Sequence, residues 1–140
     1  MNQAFSKTEQ GAILTTAVDN GKSQGYSKYV KHGGNNTQDK IFLLSYAEAN
    51  KYLGMTRDDR NNTKSRVAPT AYALKAGAWT SDRETTADGE KAGRWWLRST
   101  GSLGFAELVT SNGSLSDNFV FDDGDCVRPA LWINLESDIF

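Results

Sequence analysis

From Arg94 onward the chain reads as short apolar runs, "RWWLRS", "FAELVTS", "LSDNFVF" and "VRPALWINL", separated by glycine-containing breaks. Runs of this length bounded by turn residues form β-strands, and Asn112-Gly113 between two of them is a strong hairpin signal. This pattern constrains the fold more than any other feature of the chain. Side chains alternate faces along a strand, so Trp95, Leu97 and Ser99 share one side while Trp96 and Arg98 share the other. Trp95 and Leu97 are assigned to the core, because a small domain seldom leaves two aromatics exposed when each can bury about 150–250 Å².

The front half has a different period. Ser6 and Glu9 have capping-box spacing ahead of a helix reaching about Thr15, and Ser45 and Glu48 repeat it ahead of a helix over 46–53 that stops at Gly54. A buried strand is expected at 41–44, and a third helix at "PTAYALKAG", with Pro69 near its start and Gly77 past its end. Residues 19–38 read as a long polar loop relieved by Tyr26, Tyr29 and Val30, and residues 79–93 as a second exposed loop. Helices first and an antiparallel meander last indicate an α+β domain, not a doubly wound sheet.

At 140 residues the chain can bury one real core, and a single domain over 1–140 is expected. Sixteen basic residues against seventeen acidic ones leave no surplus for phosphate, so nucleic acid is not an expected partner. A single cysteine, Cys126, excludes an internal disulfide. No apolar run reaches membrane-spanning length, and the amino terminus lacks a secretory signal, so no membrane insertion is expected.

Candidate chemistry is sparse. The guanidiniums of Arg98 and Arg128 sit inside apolar strand patterns and need carboxylates or carbonyls, with Asp39 and Glu48 as candidate partners. They are read, with Trp95 and Trp132, as structural residues. Asp122, Asp123 and Asp125 offer oxygen ligands of the kind calcium prefers, but their spacing fits no EF-hand, and a solvated acidic loop with no metal is the better reading. His32 lies in "KHGGNN" without a nucleophile motif and Cys126 stands alone, so no catalytic residue is assigned. Between Thr100 and Asp125, hydroxyl, amide and acidic residues alternate with apolar ones. Ordinary turn chemistry is one reading of that surface, and a recognition face for a protein or glycan is the other.

"TQDKIFLLSYAEANKYL", "PTAYALKAGA", "RWWLRSTG" and "VRPALWINL" resemble, in order and spacing, a large bacterial domain family of unknown function. Its signatures are "FLLSYEEA", "WWLRSPG" and "GVRPALWI". Thr100 stands where that family often has proline, and Cys126 where glycine often precedes Val-Arg-Pro. Its later half is similar to the C-type lectin-like fold of formylglycine-generating-enzyme relatives and of the variable proteins of diversity-generating retroelements. The resemblance implies a C-type lectin-like α+β fold, with short helices and then a twisted antiparallel meander. It also implies that the chain is the later part of a longer domain lacking its first strands, which a homodimer would complete. The cysteine pair of the formylglycine-generating enzymes is not present, so their oxidative chemistry is not carried over.

The expected function is a non-enzymatic binding module for a protein or glycan, placed at the cell surface or secreted within a larger protein. Its contacts are assigned to Trp96, Ser102, Asn112, Ser114, Ser116, Asp117, Asn118 and Phe119. The alternatives are a structural domain of a surface protein, or an enzyme using the His32 loop or Cys126.

Overall fold

The computed structural model describes residues 4–26, 32–59 and 61–137. Tyr29 and Val30 of the early polar segment lie outside them. The architecture is α+β, with three short helices and eight short strands among the described residues.

Local signals place the helices. α1 (Lys7–Ala12) and α2 (Tyr46–Leu53) both begin at complete capping boxes, Ser6 with Glu9 and Ser45 with Glu48, which satisfy amide groups that the first turn leaves open. α2 ends where Gly54 turns left-handed at φ 64°. In α3 (Ala71–Lys75) the cap is the Thr70 side chain, which accepts from the Ala73 amide. α1 is shorter than its sequence suggests, because Ile13 turns extended and bridges to Ile133.

Two pairs of strands correct the expected loops. β1 (Thr16–Val18) pairs antiparallel with β2 (Thr37–Asp39) across the early polar segment, and β3 (Thr80–Thr85) pairs with β4 (Lys91–Gly93) within 79–93. Both pairs are rich in polar residues, so neither carries the apolar alternation that marks a strand. The main sheet has the order β7-β6-β5-β8, formed by β5 (Trp95–Thr100), β6 (Phe105–Val109), β7 (Leu115–Phe119) and β8 (Cys126–Val127). β5, β6 and β7 form the expected antiparallel meander. β8 departs from it by crossing over to lie parallel beside β5, pairing Cys126 with Trp95 and Val127 with Trp96.

Residues 41–44 are not a strand. The Leu44 carbonyl accepts from Arg98 N–H, next along the edge of β5 from β8, and Phe42 forms an isolated bridge with Ala130. The segment therefore shares β5's edge with β8, and neither runs long enough for a full ladder. The same crowding reduces "VRPALWINL" to β8 and two bridges.

The core lies between α2 and one face of the sheet. Trp95, Leu97, Val109 and Leu115 pack with Ala49 and Met55, and Leu53 and Val67 close the margin. Trp95 is 0% exposed, and its indole N–H donates to the Ser65 carbonyl at 3.2 Å, as a buried tryptophan requires. Burial alternates strictly along β5, with Trp95, Leu97 and Ser99 inside and Trp96 and Arg98 half-buried on the other face.

Candidate functional site

The sheet ends in a tip made by the turn between β5 and β6 and by the segment after β7. Gly104 accepts from the Val120 amide at 3.1 Å, which brings the two segments side by side. Leu103 is 99% exposed, Phe121 79%, Val120 61% and Phe119 45%. Phe119 stacks on Phe121 with ring centroids 5.0 Å apart, and Phe105 lies 4.2 Å from Phe119 on the neighbouring strand. Apolar side chains grouped in this way on a surface mark an interaction site more reliably than isolated ones.

Of the residues assigned to ligand contact from sequence, only Phe119 belongs to this cluster. Trp96 is half-buried in mid-sheet, opposite Leu108 and Val127. The side chains of Asn112 and Ser114 meet the protein itself: the Asn112 amide oxygen accepts from Ser114 N–H and the Thr110 hydroxyl, and Ser114 is buried. Asp117 faces Arg57 at 3.6 Å. Asn118 donates to Asp122 at 2.7 Å and Asp125 at 2.9 Å. Ser116 is half-buried opposite Leu108, and Ser102 lies in the turn, where its carbonyl accepts from Phe105 N–H. Groups already bonded internally offer a ligand little.

The acidic segment is built around Arg94, which pairs with Asp125 at 2.5 Å and Asp122 at 3.4 Å and lies over the Trp79 ring. Bonds from Asn118 and the Gly124 amide, with help from Arg94, hold Asp122 below its ordinary value. Burial pushes Asp125 up, against the pull of Asn118 and Arg94. A cation here would have to displace Arg94. Among the described residues no three His, Cys, Asp or Glu side chains are grouped to hold a metal ion. Asp123 is exposed.

The remaining candidates are spread through the fold. Arg98 pairs with Glu48 and also donates to the Leu43 carbonyl at 2.7 Å and the Asp19 carbonyl at 3.1 Å, so it ties the early segment to the sheet. Asp39 is not its partner and instead accepts from the Thr37 hydroxyl. Arg128 lies over the Trp95 ring, 4.9 Å from its centroid. Trp132 is partly exposed and makes an edge contact with Tyr52. His32 is exposed, and its carbonyl accepts from the Thr100 hydroxyl. A cleft of about 300 Å³ near it is lined by Asn20, Gln24, Arg98 and Ser99 and by no carboxylate among the described residues. Burial, and then the Asp125 charge, push the Cys126 thiol up, away from the thiolate that a nucleophile needs.

Sequence reasoning passed over Leu103, Val120, Phe121 and Glu107. The signal for the tip was present in "NFVF", three apolar residues within four, which no alternating strand can bury together. Glu107 shares the inward face of β6 with Val109 and is fully buried, accepting Tyr26 N–H at 2.9 Å with Arg57 3.9 Å away. Burial raises its carboxyl to about 7, although the Tyr26 bond and Arg57 act to lower it.

No helix among the described residues is long and apolar enough to cross a membrane. No curated protein matches the chain, and no solved structure does. The model of the family described as Domain of unknown function (DUF6273) matches residues 1–135, so the chain belongs to that family.

Proposed function

We propose that this domain is a non-enzymatic recognition module of C-type lectin-like architecture that takes a protein ligand at the tip of its main sheet. One observation carries the reading: Leu103, Phe119, Val120 and Phe121 stand exposed together at the end of the main sheet. Aromatic and aliphatic anchors of this kind supply most of the energy in protein interfaces. The exposed cluster is apolar and the neighbouring Asn118 amide is already bonded to Asp122 and Asp125, which favours a polypeptide over a glycan that needs many open hydrogen-bonding groups. The raised Cys126 thiol, and the bonding of the carboxylates nearest the cleft near His32 to Gly21, Gln24 and Arg98, favour recognition over catalysis. The lectin-like part of the proposal rests on short helices preceding the sheet and on the Arg-Pro segment returning beside the tryptophan strand.

The test is selection from a displayed peptide library alongside a glycan array, with the domain and its Leu103→Ser/Phe121→Ser variant. Enriched peptides should bind the variant at least about tenfold more weakly. Hits confined to glycans, or peptides indifferent to the variant, would overturn the proposal.

A further inference from the structure

Four half-buried arginines of the described chain face carboxylates: Arg57 faces Asp117, Arg66 faces Glu84, Arg94 faces Asp125, and Arg98 faces Glu48. Arg128 does not. Among the described residues its side chain makes no ion pair and no hydrogen bond, and its Nη1 is buried without an acceptor. The Trp95 ring under it offsets part of the desolvation, as a cation over an aromatic face does. A guanidinium withdrawn from water still requires acceptors in its plane. Burial accordingly pushes Arg128 down from its usual value.

Arg128 lines a cavity of about 540 Å³ between α3 and β8. Pro69, Tyr72 and Ala73 form one wall, and Trp95, Val127 and Pro129 the other. This volume lies within the range of about 300–1,000 Å³ that small-molecule sites occupy, and the lining is mostly apolar. Two carboxylates also reach the cavity. Asp125 is held by Arg94 and Asn118, while Asp123 is exposed to solvent. With Arg94 paired to Asp125 and Asp123 screened by solvent, the buried charge left without a partner among the described lining residues is the Arg128 cation, which suits a monoanion better than a phosphate dianion. The fork of a guanidinium matches a carboxylate through two parallel hydrogen bonds.

We propose that this cavity binds an apolar monocarboxylate, its carboxylate on Arg128 and its body between Tyr72 and Pro129. None of the tip residues lines the cavity, so this site is independent of the tip. A free arylalkanoic acid and the carboxyl end of a peptide with an aromatic last residue share the chemistry.

The experiment follows amide shifts of residues 70–78 and 126–128 by heteronuclear NMR. The additives are 3-phenylpropanoate, uncharged 3-phenylpropanamide, and the tripeptide Gly-Gly-Phe with a free or an amidated end. Saturable shifts are expected with a carboxylate, and binding at least about tenfold weaker for its amide counterpart. Arg128→Gln should weaken carboxylate binding by a similar factor. Ala73→Leu narrows the cavity while leaving Arg128 in place and suits a helix, so it decides the matter if Arg128→Gln does not fold. Binding of 3-phenylpropanoate alone assigns a free acid, whereas binding of the free tripeptide assigns a peptide end. No saturable shift with either carboxylate, equal binding of acid and amide, or binding unchanged in the folded variants would overturn the proposal.

Discussion

Arg98 grips Glu48 with both ends of its guanidinium, Nη2 donating to Oε1 at 2.9 Å and Nη1 to Oε2. The pair joins β5 to the first turn of α2, where Glu48 also accepts from Ser45 N–H to close the capping box. One carboxylate thus fixes a helix start and a strand at once. Glu48→Gln keeps an acceptor for the cap and removes the charge, and should destabilise the domain by about 1–3 kcal/mol at pH 7, since the pair is only partly buried. Burial acts to raise Glu48, but the bonds from Arg98 and Ser45 outweigh it and hold the carboxyl below its ordinary value. Its contribution is therefore complete above that ordinary value and is lost as pH falls through the depressed one. Urea unfolding of both proteins at pH 7 and pH 3 should show the gap narrowing in acid.

Glu107 has the opposite dependence. An unfolded chain releases this proton near 4.5, whereas the folded protein holds it to about 7. Between those values folding takes up a proton, so this group's contribution is complete below pH 4.5, falls as pH rises and is gone above 7. Tyr26, Arg57, Tyr46 and Asp117 face it and set the scale. Glu107→Gln keeps an acceptor for Tyr26 N–H and should gain up to about 3 kcal/mol relative to the parent between pH 5 and pH 8. Parallel stability curves for the two proteins over that range would contradict this.

Gly113 separates steric from conformational cost. Its φ is 87°, and a Cβ there would lie 2.2 Å from the Asn62 carbonyl oxygen and 2.8 Å from Ser65 Oγ. At Gly54, with φ 64°, a Cβ would meet nothing within 4 Å. Gly54→Ala should cost about 1–2 kcal/mol, the left-handed penalty alone. Gly113→Ala should cost clearly more, because the 62–65 turn must move as well. Thermal unfolding of the two variants side by side measures the difference.

The sequence was legible where a local rule acts without competition. Both capping boxes, the stop at Gly54 and the alternation from Trp95 to Ser99 follow from short-range chemistry, and each occurs at the expected residues. Long-range competition obscured the rest. β8 and residues 41–44 share one edge of β5, which shortened two apolar runs that read as full strands. β1 to β4 gain their order from pairing that polar composition does not announce. At the site, Asn112, Ser114 and Asn118 carried the residue types of a recognition face, but a residue type does not reveal whether its hydrogen bonds are already made. Phe119 was legible as the aromatic that ends the otherwise polar β7, Leu115–Phe119. Phe121 carried a signal in the same "NFVF", whereas Leu103 was not legible, since a turn residue can fold inward or outward.

Exposed tip residues contribute little to folding, so Leu103→Ser/Phe121→Ser should change stability by no more than about 1 kcal/mol. An unchanged melting curve would make any loss of binding specific to the surface.

The most direct test of tip recognition is the affinity of a library-selected peptide for the domain and for this variant, measured by titration calorimetry at equal folded concentration. A weakening of at least about tenfold, with the melting curve retained, is the predicted result. Equal affinity for the two proteins would contradict the account.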